Sequence, residues 1–317
     1  MQWTKRISCT RAVTGILLIG LTAMSVFPVG GAEPWPDDIK RIKERGELIV
    51  AQYRGVEPAF FFFADSREYP DQASYVYEGQ RLVGCDIALA VGIADQLGVR
   101  LRLDRSAPDY DTVCRYVAQG KADLGISMLS ITPRRAQYVR FSSSYAVARM
   151  GILVDRLHVP GLKGPHLLSA LCHGHGTNMG ILGGCSYGDV ARRVCPRARL
   201  SYYPDFDTML RKMMSGEIHA LFDDEFQILT ILHRHPERAV RLKFLVLPEV
   251  KDHIGVAVSP RCPNLLAFVN VVLGSDQVRS DLPKLLKLFT VGPGDRRTRL
   301  LSKDPQDRRE ADRGPVR

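Results

Sequence analysis

Residues 120–135 read GKADLGISMLSITPRR, and their reading decides the class of fold. Gly120 ends the amphipathic stretch 110–119, as a glycine just past a helix does. Residues 122–128 are apolar and of strand length, and Ser130 to Thr132 form a polar loop. Thr132 followed by Pro133 reads as an N-cap with proline at the first helical position. The alternation continues on both sides. Residues 48–51 are the apolar run of a buried strand. Asp86 can cap a helix whose apolar stripe is Ile87, Ala90, Val91, Ala94 and Leu97, ended by Gly98. Strands are expected near 99–103, 150–154, 179–182, 220–222, 244–247 and 255–258. Helices are expected near 35–45, 187–194, 205–214, 225–233, 263–272 and 281–288. Strands alternating with helices indicate an α/β architecture with mainly parallel sheet. The polar stretch 64–80 reads as a loop or hairpin.

The chain has 317 residues, 45% hydrophobic and 25% charged, which excludes a mainly disordered or polytopic membrane chain and allows two domains. Its net charge of +10 (44 Lys+Arg, 34 Asp+Glu) is concentrated at the ends. Lys5, Arg6 and Arg11 carry three charges, and the tail 295–317 adds three more. The remaining charge of about +4 is too weak a field to point to nucleic acid. The basic start, the apolar stretch 12–29 and the small residues up to Ala32 describe a signal peptide over 1–32, cleaved near Ala32. No later segment approaches the ~20 apolar residues of a membrane span, so export is expected. The tail 293–317 lacks apolar periodicity and reads as disordered and basic. Beyond Cys9 there are six cysteines: Cys85, Cys114, Cys172, Cys185, Cys195 and Cys262. One or two bridges are expected, among Cys172, Cys185 and Cys195.

Four ordered segments carry a family resemblance. They are Gly46-Glu47-Leu48-Ile49-Val50; Gly84-Cys85-Asp86 before the helix ending Leu97-Gly98-Val99; the 120–135 stretch with Val139-Arg140-Phe141-Ser142 and Tyr145; and Gly180 to Tyr187 with Asp223-Asp224-Glu225 downstream. Together they resemble the polar-amino-acid family (family 3) of periplasmic solute-binding proteins, the receptors of ABC importers. The resemblance implies a two-lobed periplasmic-binding-protein-like fold of type II, with a hinge of two crossover strands near Ala146 and Ile254. Lobe one would comprise 37–145 plus 254–292, and lobe two 146–253. It further implies a periplasmic monomer, without cofactor or metal, that captures an amino acid or small carboxylate between the lobes and works with a membrane permease.

By the same resemblance Arg135 binds the ligand carboxylate, a role suited to a planar guanidinium. A cation at a helix start opposes the dipole and so asks for a reason, although a solvated arginine fits the spacing equally. Ser130 and Ser127 would offer hydroxyl or backbone groups, or satisfy local backbone. Tyr110 would stack on the ligand, or sit in the core. Asp224 would take the α-ammonium, or complement a helix dipole. Ser186, beside Cys185 at a helix start, would serve the carboxylate, with Gly176-Thr177 as competitor. Gln52-Tyr53 stand where members that bind basic amino acids place an acid, and Met128 stands where a serine is frequent beside the pocket, which points to an apolar or aromatic amino acid or a related small carboxylate.

Other readings remain. Cys172-His173-Gly174-His175 could supply metal ligands but reads as loop. Exported arogenate or prephenate dehydratases share this fold, and Asp224, Glu225 and Glu57 are available acids. An accessory or sensor subunit without a transport role is a third reading.

Overall fold

The computed structural model describes residues 35–64, 69–158, 167–174, 176–234 and 240–291. The expected signal segment and basic tail lie outside the described residues.

Strand β1 (Glu47–Tyr53) is buried from Leu48 to Gln52, which is why it reads as an unbroken apolar run rather than an alternating one. It follows helix α1 (Asp37–Arg45), whose end is closed by Gly46 in the left-handed conformation. β1 pairs in parallel with β5 (Arg100–Ala107) and with the short β6 (Leu124–Gly125). The sheet is completed by β13 (Ala257–Val258) and β7 (Arg140–Phe141), in the order β5-β1-β6-β13-β7. A second five-stranded sheet has the order β10-β9-β11-β8-β12. Its strands are β8 (Ala146–Asp155), β9 (Asn178–Leu182), β10 (Arg199–Tyr203), β11 (Ala220–Asp224) and β12 (Leu242–Ile254). Phe62–Phe63 (β2), Ser74–Tyr77 (β3) and Gln80–Val83 (β4) form a small third sheet, so the hairpin expected in 64–80 is β3-β4.

The protein is two-lobed, each lobe built on one five-stranded sheet. Both sheets are mixed: β13 runs antiparallel to β6 and β7, and β8 antiparallel to β11 and β12. That corrects the expected mainly parallel sheet. The antiparallel strands belong to the chain's passages between lobes, which return it to the first sheet instead of winding on through helices. β8 and β12 pair from Asp155↔Leu242 to Ala146↔Ile254, with the register broken between Leu247 and Lys251.

Local signals at several starts and ends hold. Thr132 accepts the Arg135 N–H and Pro133 opens α4 (Pro133–Ala136). Asp109 caps α3 (Tyr110–Ala118), and Asp205 caps α7 (Phe206–Met214). Other expectations are corrected. The strand over 122–128 shrinks to Leu124–Gly125 because Met128 takes a φ of 44°, outside extended backbone. The Gly-rich loop at Cys172 is the end of helix α5 (Leu167–His173), with Cys172 bridged to Cys195 after α6 (Tyr187–Val194). Cys85, Cys114, Cys185 and Cys262 are free thiols. Strand β10 has no strong apolar signal and is an addition to the sequence reading.

Asp86 is the most instructive departure. It does not cap α2 (Cys85–Leu97), which starts after Gly84 without a side-chain cap. Gly84 has φ 139°, and a Cβ there would lie 2.0 Å from the Phe60 carbonyl oxygen, so no other residue fits. Asp86 is fully buried and accepts hydrogen bonds from the Met128 N–H at 2.7 Å and the Tyr145 hydroxyl at 2.7 Å. It therefore holds the left-handed turn at Met128 that faces the cleft. Removing it leaves two buried donors without an acceptor, each costing about 1–3 kcal/mol. Asp86→Ala is expected to lower the unfolding free energy in denaturant titrations by about 2–4 kcal/mol; a loss within the error of the measurement would show that Asp86 does not hold this turn.

Candidate functional site

Arg135 sits in the short helix α4 and is 2% exposed. Its Nε donates to Asp111 Oδ1 at 3.0 Å and its Nη1 to the Ser130 carbonyl at 3.2 Å. Its Nη2 is buried with no partner among the described residues. Two edges of the guanidinium are thus fixed by the protein, and the remaining nitrogen is left for something in the cleft that Arg135 lines. The same bonds make Arg135 structural as well: it shares the buried Asp111 carboxylate with Arg134, whose Nη2 lies 3.2 Å from Asp111 Oδ2.

The cleft has a volume of about 230 Å³, below the roughly 300–1,000 Å³ of drug-sized pockets and suited to one small ligand. Its lining draws on both lobes: Tyr53, Glu57, Tyr110, Ser130 and Arg135 from the first, Ser186, Tyr187, Asp223 and Asp224 from the second. The lobes touch around it. Ser186 donates to the Ser130 hydroxyl at 2.7 Å, and Ser130 donates to Asp252 Oδ2 at 2.7 Å. Phe60 and Phe226 meet edge to face at 5.3 Å. Gly184, with φ 73°, comes so close to Asp109 that a Cβ would fall 2.6 Å from it.

Of the residues expected to hold a ligand, Arg135, Ser130, Tyr110, Asp224 and Ser186 all line this cleft. Ser127 does not. It is fully buried and its hydroxyl accepts the Tyr53 N–H at 3.0 Å, tying the end of β1 to the segment after β6. Ser186 precedes α6 without capping it, its hydroxyl being turned to Ser130. Tyr110 packs against Tyr53 at 4.8 Å and donates its hydroxyl to Glu57. Asp224 complements a helix start, the second of the two readings of its position. Oδ1 accepts the Phe226 and Gln227 N–H groups at the start of α8 (Glu225–Arg234), and Oδ2 accepts the Tyr187 hydroxyl at 3.0 Å.

Glu57 is the residue the sequence reading undervalued. An acid is absent at Gln52-Tyr53, but Glu57, 7% exposed, reaches the cleft from the following segment. Its signal is its place as the lone charge in Val56-Glu57-Pro58-Ala59-Phe60-Phe61. Asp223 faces the cleft beside Asp224, and Asp205 and Asp207 stand at its rim. Five carboxylates and one guanidinium among the lining residues reverse the expected apolar character of the site.

Burial raises the three enclosed acids, Glu57, Asp223 and Asp224, whereas Asp205, bonded to the Thr208 N–H and hydroxyl, is lowered. Desolvation and the nearby Asp224 raise Glu57 well above the usual carboxylate range. Desolvation and Asp224 do the same to Asp223, and desolvation raises Asp224 itself. Burial raises Asp252 to about 6 and Asp86 to about 7. Cys185, beside the cleft, is raised by burial to about 12 and stays a neutral thiol. No group of three or more His, Cys, Asp or Glu among the described residues is arranged to hold a metal, and Cys172 is taken up by its disulfide.

The comparisons with known proteins agree with this geometry. The model of bacterial extracellular solute-binding proteins, family 3, matches residues 64–289. The chain belongs to that family. Its fold is that of an amino acid ABC transporter substrate-binding protein from Streptococcus pneumoniae bound to L-arginine (24% identity, TM-score 0.62, 79% of this chain and 97% of that one). An ancestral amino-acid-binding protein, described as a precursor of cyclohexadienyl dehydratase, is similar in fold as well (22% identity, TM-score 0.60, 80% and 99% covered). A curated relative, membrane-bound lytic murein transglycosylase F of Alcanivorax borkumensis, is 32% identical over 142 residues, 44% of this chain and 27% of the relative. The chain thus matches about a quarter of that enzyme's length. No described helix is long and apolar enough to cross a membrane.

The raised carboxyls fix the sign of a pH effect. Asp86 moves from 3.8 to about 7 and Asp252 from 3.8 to about 6 on folding. Between those limits the folded protein holds more protons than the unfolded chain, so stability falls as pH rises. Asp155, lowered through its bonds to Arg241 and His158 despite burial, acts in the opposite sense but only below its ordinary range. The melting temperature of the ligand-free protein is expected to fall by several degrees between pH 5 and pH 7.5, about the span of these two titrations; a flat or rising profile would contradict the assignment.

Proposed function

We propose that this chain captures a cationic amino acid, of the arginine or lysine type, between its lobes and delivers it to the membrane permease of an ABC importer. The observation that carries the reading is the imbalance of the cleft: five carboxylates line it against one guanidinium, whose Nη2 has no partner. A zwitterion alone brings one ammonium to these acids; a basic side chain brings a second cation. In this reading the α-carboxylate lies on Arg135 Nη2, near the Ser130 and Ser186 hydroxyls. The α-ammonium lies on Asp224. The cationic side chain faces Glu57 and Asp223, with Tyr53 and Tyr110 alongside, where a guanidinium can stack on a ring. The L-arginine held by the pneumococcal protein of the same fold supports this choice.

Residues 37–145 with 254–292 would form one moving body and 146–253 the other, hinged on β8 and β12, so that binding closes the cleft. Export through segment 1–32 and cleavage near Ala32 would place a monomer in the periplasm.

One observation favours a second reading. Glu57 is buried in the cleft, hydrogen-bonded to Tyr110 and raised toward its protonated form, as a general acid must be near neutral pH. With a dehydratase precursor among the proteins of similar fold, Glu57 could protonate the departing hydroxyl of arogenate or prephenate, which leaves as water while the ring carboxylate leaves as CO2 and its bonding pair completes the aromatic ring.

Thermal shift and calorimetric titration separate the two. L-arginine is expected to raise the melting temperature, with about 2.7 kcal/mol of stabilisation at a hundredfold excess over Kd. Arg135→Lys keeps the charge but loses the fork, and Glu57→Gln loses one carboxylate. Each is expected to weaken L-arginine about 30-fold or more, as truncation of a buried charge pair does. No shift with L-arginine or L-lysine, together with consumption of arogenate or prephenate that Glu57→Gln abolishes, would replace the binding reading by the enzymatic one.

A further inference from the structure

The small sheet β2-β4-β3 lines no part of the cleft, yet it meets the side chain of Arg105, on β5. Arg105 is 5% exposed. Among the described residues no carboxylate forms an ion pair with it, and its Nε is buried without a partner. A guanidinium taken from water on these terms needs compensation. Three aromatic rings supply part of it: the Arg105 Cζ lies 5.0 Å from the ring centre of Phe63, 5.4 Å from that of Tyr77 and 5.9 Å from that of Phe61. Three successive carbonyls supply the rest. The Nη2 donates to Gly55, to Arg54 at 3.3 Å and to Tyr53 at 3.5 Å.

Those carbonyls belong to the segment that leaves β1 and carries Tyr53, Val56, Glu57 and Pro58 into the cleft wall. Other anchors lie at its two ends: the Tyr53 N–H on the Ser127 hydroxyl at 3.0 Å, the Arg54 N–H on the Ala107 carbonyl at 2.9 Å, the turn in which the Glu57 N–H binds the Phe61 carbonyl at 2.8 Å, and the Tyr110 hydroxyl on the Glu57 carboxyl. We propose that Arg105 is a positioning residue for the cleft, clamped between aromatic rings and bonded to the carbonyls of Tyr53, Arg54 and Gly55 so that Tyr53 and Glu57 are presented to the ligand. The hairpin β3-β4 then has a task, since Tyr77 is one wall of the cage. Lysine cannot replace the group: only a planar guanidinium stacks on rings while donating along its edge. The consequence for Glu57 and a cationic ligand rests on the binding reading above; the clamp itself does not.

The test measures amide hydrogen exchange and calorimetric binding of L-arginine and the uncharged L-citrulline, for the wild type, Arg105→Lys, Tyr77→Leu and the double variant. In Arg105→Lys, exchange at the Glu57, Phe60 and Phe61 amides is expected to rise about tenfold or more, the effect of losing charge-assisted bonds, while β9 exchanges as in the wild type. Affinity for L-arginine is expected to fall about tenfold and that for L-citrulline much less. Tyr77→Leu is expected to act in the same direction and to add little once Arg105→Lys is present, because the two work through one contact. Wild-type exchange at the three amides in Arg105→Lys, or full additivity of the two substitutions, would overturn the proposal. If Arg105→Lys does not fold, Tyr77→Leu decides, and unchanged exchange there overturns it. A wild type that binds neither probe contradicts the binding reading, and the exchange pattern alone then decides the clamp.

Discussion

The guanidinium of Arg135 is the fixed point of the cleft. Asp111 holds its Nε, the Ser130 carbonyl holds its Nη1, and burial leaves Nη2 no protein partner. Desolvating a charge is tolerable only when its donors are met, so a group left two-thirds satisfied at the wall of a cavity asks for an anion there. The facing acids pose the opposite demand. Glu57, Asp223 and Asp224 are buried close together, and each is pushed toward its protonated form by burial, Glu57 and Asp223 also by the charge of Asp224. A ligand with an anionic end and cationic groups would relieve both at once, which is the physical basis of the proposed preference.

The fold turns that local chemistry into a two-lobed device. The first sheet and its loops carry Arg135, Tyr110 and Glu57, the second carries Asp224 and Ser186, and β8 and β12 run side by side between them. The hydrogen-bonded line from Ser186 to Ser130 to Asp252 crosses from one lobe to the other at the cleft. Gly184 allows the backbone approach to Asp109 that a side chain would prevent. Contact between the lobes and the lining of the cleft therefore involve the same residues, Ser130 and Ser186.

Much of this was legible in the sequence. The run Leu48-Ile49-Val50-Ala51, the cap Thr132-Pro133 and the stripe ended by Gly98 follow local rules that hold without tertiary help. Arg135 and Asp224 as residues of the cleft came from the ordered motifs of the family. What failed depended on distant partners. Asp86 resembled a cap but serves Met128 and Tyr145, 42 and 59 residues away. Ser127 resembled a ligand contact but bonds Tyr53 across the sheet. Glu57 stood in the sequence only as one available acid, whereas its character comes from burial in the cleft and from the charge of Asp224 on the other lobe. The mixed direction of the sheets was equally hidden, because a strand's pattern of burial does not record which way its neighbour runs.

The most direct measurement is a crystal structure of the protein grown with L-arginine. The account predicts the ligand carboxylate within hydrogen-bonding distance of Arg135 Nη2, the α-ammonium on Asp224 and the side-chain guanidinium between Glu57 and Asp223. A cleft without ligand at saturating concentration, or L-arginine bound with its carboxylate away from Arg135, would contradict it.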